Sequence, residues 1–382
     1  MKTPTAPRCR RFSATRQLSA LVGATLALAS TMAPAATDTP PRPWETTLEL
    51  VAAHDITLLQ ASGSTERKLG GWDAALSLAL NAITIDYQPV PFDFKGHAVT
   101  RRELGAALQA AGERPLGDIW TMLASAGGYL GHTNYRSVWL DEYYYQQYAD
   151  FPAPPGSDIY TKAHPRGIST MLGARWAYHP GSGFAQLTVS RLRDRVSPGY
   201  EVDFDGLHKT PEVLRTTALN LDLENILTPW ARSLVRLRAA LTTEREWRLG
   251  AEGRLNLALD DAWTARLHVG YTEEAPRFRA TFGGLELERT LSRRLALFAG
   301  GKLYSDTGEI ENALLFTSSA PPLHTWQFGG GVRWTRDGWS GRLTLGLIRT
   351  RYGATNSDTD FFQNLYRDRH WLIGQLALTR SF

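Results

Sequence analysis

The sequence predicts an all-β fold, a closed antiparallel transmembrane β-barrel, and three observations carry this prediction. Apolar and polar side chains alternate along many segments of the chain. These segments run for about 11 to 14 residues, whereas strands of globular proteins usually have about five or six. Trp and Tyr gather at the segment ends, where a barrel strand crosses a membrane interface. A water-soluble β-sandwich also alternates, but its short strands fit this chain less well.

The alternation is clearest between Trp247 and Leu257, where every odd position is apolar or small and every even position except Gly250 is polar. Because successive side chains of a strand point to opposite faces, such a segment has one apolar and one polar face. The same period recurs along the chain. We therefore expect strands near 46–59, 72–86, 134–147, 168–178, 182–193, 212–224, 231–242, 245–258, 263–273, 277–289, 294–305, 324–335, 341–352 and 370–382.

The stretch 97–130 has two interpretations. Thr100-Arg101-Arg102-Glu103 has the form of a capping box, and apolar residues from Leu104 to Ala111 follow at helical spacing. The same stretch also alternates with period two on both sides of a turn at 113–118. Two strands here make about 16 in total, an even number that returns both chain ends to one side. A helix leaves 14, but a segment of roughly 40 residues must then lie on the side of the short turns. We predict 16 strands, with 14 or 12 as alternatives.

The first 36 residues have the pattern of a cleavable signal peptide. Basic residues from Lys2 to Arg16 precede an apolar stretch, Leu18–Met32, and then the small residues Ala33-Pro34-Ala35. This apolar stretch is shorter than the ~20 residues of a membrane-spanning helix. The sequence thus predicts a signal peptide at 1–36, cleaved near Ala35 or Ala36, and a barrel domain at 37–382.

The charge and cysteine counts exclude several classes of function. The chain has 42 Lys and Arg against 38 Asp and Glu, and five of the basic residues lie in the predicted signal peptide. The remaining chain is close to neutral, so its charge does not indicate nucleic-acid binding. The one cysteine, Cys9, also lies in the signal peptide. The mature chain therefore has no thiol for a disulfide, a metal site or catalysis.

The C-terminal segment carries a resemblance to a known class. Leu372, Leu376, Leu378 and Phe382 share one parity in the last strand, and Phe382 is the final residue. This segment resembles the C-terminal strand of Gram-negative outer-membrane β-barrel proteins of the porin-like class. That resemblance implies an outer-membrane location and makes Phe382 an assembly signal for the barrel-assembly machinery. Arg380 departs from the pattern, because an apolar residue is commoner there. No specific family is identified.

Connection lengths predict the orientation of the barrel. Short connections at Asp260-Asp261, 336–338 and 179–181 alternate with long ones at 306–323, 353–369 and 194–211. Outer-membrane barrels place short turns in the periplasm and long loops outside. The C-terminus is therefore expected in the periplasm. Gly283-Gly284 interrupts its alternating segment and predicts a β-bulge.

The polar parity of the strands supplies the candidate functional residues, which we expect to face the lumen. They would either line a water-filled pore or pair across strands into a ladder that fills the interior. A modest excess of Arg between 231 and 272 favours anionic over cationic solutes. The candidates are Arg236, Arg238, Arg248, Glu252, Arg254, Arg266, His268, Glu286, Glu288, Lys302, Arg333 and Arg342.

No motif for catalysis, metal or cofactor binding emerges. No His lies at a spacing from Ser, Asp or Glu that is typical of an outer-membrane lipase or protease. The polar loop 356–360 has two carboxylates but lacks further oxygen ligands for calcium. Gly329-Gly330-Gly331 lacks the ending of a phosphate-binding loop and predicts close strand packing instead. We expect no enzyme, no metal and no cofactor.

The sequence thus favours passive passage of small hydrophilic solutes through an outer-membrane barrel. A closed structural or surface-binding barrel with a filled lumen is the first alternative, and an outer-membrane enzyme is the second. The aromatic cluster Tyr143–Tyr148 fits either an interfacial belt or a ligand-gripping site. The expected partners are outer-membrane lipid, the barrel-assembly machinery and small solutes, but no nucleic acid.

Overall fold

The computed structural model describes residues 44–87, 99–136, 162–195, 199–203, 206–210, 213–243, 246–276, 278–308, 322–353 and 368–382. The predicted signal peptide 1–36, the aromatic cluster Tyr143–Tyr148 and the acidic loop 356–360 lie outside these ranges. Within the described ranges, no helix is long and apolar enough to cross a membrane.

The described chain is built almost entirely of antiparallel strands. They are β1 (Glu45–Ala53), β2 (Ile56–Leu69), β3 (Trp72–Tyr87), β4 (Val99–Pro115), β5 (Trp120–Arg136), β6 (Lys162–Ala163), β7 (Arg166–His179), β8 (Gly183–Arg195), β9 (Gly199–Asp203), β10 (Gly206–Thr210), β11 (Val213–Thr228), β12 (Ala231–Thr242), β13 (Trp247–Ala258), β14 (Trp263–Glu274), β15 (Phe278–Ser292), β16 (Leu295–Asp306), β17 (Leu323–Arg336), β18 (Trp339–Tyr352) and β19 (Arg369–Ser381).

Sixteen of these strands form one closed wall. Each pairs with the next along the chain, β5 pairs with β7, and β8 pairs with β11. The last strand, β19, pairs with β1 from Glu45↔Ser381 to Ala53↔Ile373, which closes the barrel. Short β6 extends the edge of β5, and β9 and β10 form a separate hairpin. The predicted closed antiparallel barrel of 16 strands is confirmed.

The stretch 97–130 forms two strands, β4 and β5, and not a helix. Leu104 and Leu108 pair with Ala82 and Leu78 of β3, and β4 continues unbroken to Pro115. The apolar residues between Leu104 and Ala111 therefore match helical spacing by chance, because this segment is rich in Ala and Leu. The barrel surroundings decide the outcome, because β4 completes the ladders of β3 and β5 on its two sides.

The total of 16 is right although two of the predicted strands are wrong. The segment predicted at 46–59 covers all of β1 and the start of β2, which meet at the two-residue turn His54-Asp55. No Gly or Pro marks this turn, and the second half of β2 is polar, so the alternation does not show the break. Of the segment predicted at 134–147, residues 134–136 end β5 and the rest lies outside the described ranges; among the described strands, β5 pairs directly with β7.

The bulge predicted at Gly283-Gly284 is also wrong. Both glycines pair in continuous register, with Val269 and His268 on one side and with β16 on the other. The register of β15 shifts instead between Thr290 and Ser292, next to its turn. Gly284 has a packing reason, since a Cβ there would lie 2.3 Å from Cε1 of His268.

The two ends of the barrel differ in their connections. At one end, which we call the short-turn end, seven turns of two to four residues join the strands, and both Trp44 and Phe382 lie there. Four of these turns contain left-handed backbone, and in two of them, Gly70-Gly71 and Asp337-Gly338, both residues are left-handed, as in the tight hairpins that suit twisted strands. The five connections longer than ten residues all join strands at the opposite, long-loop end.

The convex face of the barrel is apolar over a broad band and edged by tryptophan. Leucines dominate its outward positions, for example Leu172 at 67% exposure and Leu345 at 64%. Eight of the 12 tryptophans of the chain lie at the short-turn end, and the rings of Trp120 and Trp176 stack there at 6.0 Å. This is the pattern of a barrel that spans a membrane. The eight are Trp44, Trp72, Trp120, Trp176, Trp230, Trp263, Trp334 and Trp339.

Candidate functional site: the charged lumen wall

Contacts across several strands identify the inner face of the barrel. Nη2 of Arg342 on β18 lies 2.5 Å from Oε2 of Glu286 on β15, so this ion pair passes over β16 and β17. The hydroxyl of Tyr129 on β5 donates to Asp194 on β8 at 2.9 Å and passes over β7. Such long reaches are possible only on the concave side of a curved sheet. Pairing in register then assigns every other wall position to the inner or the outer face.

All twelve candidate residues of the polar parity lie on this inner face. They occupy β12 to β18, where directly paired residues such as Arg236 and Glu252, or Arg266 and Glu286, share a face. We call the inner face of β11 to β18 the charged wall. The alternation in the sequence thus places these side chains on the lumen, while their pairing decides what they do there.

The densest part of the charged wall is a network around two carboxylates. Nη1 of Arg266 lies 2.6 Å from Glu286 and 3.2 Å from Glu288. Arg342 binds Glu286, and Arg333 binds Glu288. The guanidinium of Arg342 also lies 3.9 Å from the ring centre of Phe298. Phe298 is on β16, which lies between the strand of Glu286 and the strand of Arg342. Three cations thus surround two anions, and the network ties β14, β15, β17 and β18 together.

Further ion pairs join neighbouring strands of the same wall. Arg236 binds Asp222 through two hydrogen bonds, of 2.8 and 2.9 Å. Arg248 lies 2.7 Å from Glu274, whose side chain is 3% exposed. Arg254 pairs with Glu252 on its own strand. Several of their partners are not among the candidates predicted from the sequence, although the inward parity of the neighbouring strands was the available signal. On the charged wall these are Asp222, Glu224, Arg232 and Glu274. Glu113 of β4 and Arg175 of β7 form a further ion pair on the inner face outside the charged wall.

Two inward cations of the charged wall have no acidic partner among the described residues. Arg238 pairs in register with Gly250 and Asn220, and Lys302 pairs with Gly284 and Gln327. Both side chains are exposed, and neither forms an ion pair with a described carboxylate. His268, between them on β14, packs beside Phe282 with ring centres 6.2 Å apart. Arg238 and Lys302 therefore give the charged wall a net positive surface.

The paired arginines still reach water. Their side chains keep 40% exposure at Arg266, 47% at Arg333 and 39% at Arg342, although each is held by a carboxylate.

The inner face of β2 to β7 is built differently, because small uncharged residues occupy many of its positions. We call it the small-residue wall. Its small inward residues are Ser62, Ser64, Ser77, Ala79, Ala107, Ala111, Ser125, Gly127, Ser169 and Gly173.

One contact of the kind used in nucleophilic catalysis occurs on the outer face. Oγ of Ser305 lies 2.8 Å from Nδ1 of His324 near the long-loop end. The other register neighbour of His324 is Arg351, and no carboxylate in the described part of the chain bonds to this histidine. The orienting group of a triad is thus missing there. Nor do the described ranges contain three or more His, Cys, Asp or Glu side chains grouped to hold a metal ion.

Comparison with known proteins gives matches by structure only. No protein-family model matches the chain, and no curated protein sequence matches it. The solved structure of CdiB from Acinetobacter baumannii superposes with a TM-score of 0.55 at 11% identity, covering 89% of this chain and 60% of that chain. CdiB from Escherichia coli matches with a TM-score of 0.52 at 12% identity, covering 90% and 64%.

A third match is a mutant of the TodX monoaromatic hydrocarbon channel, with a TM-score of 0.49 at 12% identity, covering 97% of this chain and 96% of that chain. The present chain spans less than two thirds of the length of the two CdiB structures. At these identities the likeness to CdiB shows the fold, a closed bacterial β-barrel, and nothing finer.

Proposed function

We propose that this chain is a channel of the Gram-negative outer membrane through which small hydrophilic solutes pass, with a preference for anions. The observation that carries the proposal is the water exposure of the charged wall. Arg266, Arg333 and Arg342 keep between 39% and 47% exposure while paired, so they border water-filled space and do not plug the interior. Barrels of about 16 strands are wide enough to leave an aqueous channel.

The small-residue wall supports an open path. Ser, Ala and Gly at many of the inward positions of β2 to β7 project little into the lumen, although Tyr129 and the Glu113–Arg175 ion pair lie on the same face. A solute there would meet hydroxyl groups on one side and a fixed field of ion pairs on the other. Arg238 and Lys302 add two positive charges without a described carboxylate, and this favours anions.

The proposed role is not enzymatic. Ser305 and His324 lie on the outer face, where no described carboxylate orients the imidazole, and most cations of the charged wall are paired with carboxylates. The rival role, a closed barrel that displays its loops, needs a filled lumen. The exposure of the paired arginines favours the channel over this rival.

The proposed location gives the C-terminal strand a second role. The backbone N–H of Phe382 donates to the carbonyl of Trp44 at 3.0 Å, so the chain terminus lies at the seam between β19 and β1. Until β19 pairs with β1, its edge is free for the barrel-assembly machinery. We therefore keep Phe382 as the proposed assembly signal.

Conductance of the refolded chain in a planar bilayer tests the channel directly. We expect stable single-channel steps, and a reversal potential in a KCl gradient that indicates chloride preference. The Ser305→Ala variant serves as a matched control, because it removes a hydroxyl from the outer face and leaves the lumen unchanged. It is expected to conduct like the wild type.

The two outcomes separate the proposals. Silence from protein that migrates as a folded barrel on a gel would overturn the channel and favour the closed barrel. Ester or phospholipid hydrolysis that disappears in Ser305→Ala would instead establish an enzyme.

A further inference from the structure

A group of five arginines lies on the outer face of the barrel near the long-loop end. Three follow one another at alternate positions of β8, namely Arg191, Arg193 and Arg195. Arg166 of β7 pairs with Arg195, and Arg215 of β11 pairs with Arg193. The five therefore occupy three adjacent strands, and we call them the arginine patch. Neighbouring strands lie about 4.8 Å apart, so the patch is only about 10 Å wide.

The arginine patch faces outward, away from the lumen. Asp194, between Arg193 and Arg195, points inward and accepts the hydrogen bond of Tyr129 across β7. Its two neighbours must then point to the convex face. Register agrees, because Arg193 pairs with Ile168, an outward residue that is 62% exposed. Along β8 the outward residues change from Leu187 and Val189 to the three arginines.

The position along the strand places the patch at the far membrane interface. On β7, Arg166 lies ten residues from Trp176, which belongs to the tryptophan edge of the short-turn end. Ten residues span about 33 Å of strand, or about 25 Å along the membrane normal at a tilt of about 40°. The apolar band of such barrels is about 25 Å tall, so Arg166 is at headgroup level. Arg191 is lower, where an uncompensated charge is unfavourable.

The patch differs from three other outward arginines of the same end. Arg349 and Arg351 lie over the ring of Trp326, at 5.5 and 5.6 Å from its centre. Arg279 pairs with Glu273 at 2.9 Å. In contrast, none of the five patch arginines forms an ion pair or a cation–π contact with another described residue. Among the described residues, this cluster of like charges has no acidic partner, and a phosphate group can supply the opposite charge.

A depression in the surface coincides with the patch. It has a volume of about 380 Å³ and is lined by Ile168, Thr170, Arg191, Arg193 and Arg215, together with Ser169. Guanidinium groups border it on two strands, and below it the outward residues Leu172 and Leu219 are apolar. A ligand seated here would meet cations at its head and hydrocarbon-compatible side chains along its tail.

We propose that the arginine patch binds the phosphate groups of an anionic phosphorylated lipid in the leaflet on the long-loop side. Several guanidinium groups converge on one depression, and each can bind phosphate through two hydrogen bonds. The apolar residues below the patch contact the acyl chains. This lipid site is independent of the lumen, so it goes beyond the proposed channel.

The test is lipid binding to the full-length refolded barrel, measured by native mass spectrometry with bisphosphorylated lipid A as the probe. The wild type is expected to retain this lipid in preference to the same lipid without its phosphates. Removal of three patch charges in Arg191→Gln/Arg193→Gln/Arg215→Gln is expected to weaken binding by about tenfold or more. Arg349→Gln/Arg351→Gln is the matched control, because it removes outward charges at the same end that already have an aromatic partner.

Each outcome decides the proposal. Equal retention of the dephosphorylated lipid, or an equal loss in the matched control, would overturn it. Displacement of the lipid by inorganic phosphate at similar concentrations would assign the patch to free phosphate instead. Gel mobility of the folded barrel and single-channel conductance are measured for every variant. A triple variant that folds and conducts but fails to hold the lipid supports the site, whether or not the channel proposal stands.

Discussion

At Glu288 the lumen holds a carboxylate that is almost shielded from water, with Arg266 and Arg333 as its partners. Its side chain is 3% exposed, whereas the two guanidinium groups keep 40% and 47%. The carboxylate thus depends on these two cations to compensate its charge, while they also reach water. A charge of this kind stabilises the wall only as long as its partners are present.

Glu288→Gln removes that charge and leaves two guanidinium groups close together without it. We expect the free energy of unfolding to fall by about 2 kcal/mol, less than for a fully buried pair because both arginines reach water. Urea unfolding in lipid vesicles, followed by tryptophan fluorescence, measures the change. The control is Glu273→Gln, which breaks the 2.9 Å pair with the 62% exposed Arg279 and is expected to cost less than about 1 kcal/mol. Equal losses in the two variants would show that Glu288 has no special place in the wall.

The same residues show what the sequence could and could not reveal at this scale. Alternation predicts that Glu286, Glu288 and Arg333 share a face, because parity is a local property of a strand. It cannot predict that Arg342 reaches Glu286 across two intervening strands, since that contact depends on the curvature of the closed wall. Alternation also does not identify Arg191 and Arg193 as outward residues, because it separates the two faces of a strand without showing which face points away from the lumen.

At the scale of strands, the alternation predicts a wall well and its turns less well. The strand β13, predicted at 245–258, is found at Trp247–Ala258. The errors fall where a turn has no Gly or Pro, as at His54-Asp55, and where a strand is polar over half its length, as in β2. The missed turn at 54–55 also changes the predicted topology. It divides the segment 46–59 into two strands, β1 and β2, which meet at the long-loop end.

Cysteine labelling tests this topology, since the chain has one cysteine, Cys9. In a Cys9→Ser background, His54→Cys is expected to react on intact Gram-negative cells with a membrane-impermeant maleimide. Its side chain is 80% exposed at the long-loop end. Asp261→Cys, in the turn between β13 and β14 at the short-turn end, is expected to react only after the outer membrane is permeabilised. The reverse pattern would invert the proposed orientation, and labelling of both on intact cells would contradict a membrane-spanning wall.

At the scale of the whole molecule, the barrel separates its charges by face and by end. The lumen carries mostly paired charges over β11 to β18, with Arg238 and Lys302 as cations without a described acidic partner. The outer face carries the arginine patch at the long-loop end and eight of the 12 tryptophans at the short-turn end. In the proposed channel, charges of the two faces act on different solvents, water inside and lipid outside. Changes on one face should therefore leave the properties of the other unaltered.

Ion selectivity is the sharpest test of this separation. Arg238→Gln/Lys302→Gln removes two lumen charges, and we expect the chloride-to-potassium permeability ratio to fall by about twofold in 0.1 M salt. Arg349→Gln/Arg351→Gln removes the same charge from the outer face and is expected to leave the ratio unchanged. The difference should shrink toward 1 M salt, because the screening length falls from about 10 Å to about 3 Å. A ratio that responds equally to both variants, or that ignores salt, would mean that the two lumen cations do not face the path of the ions.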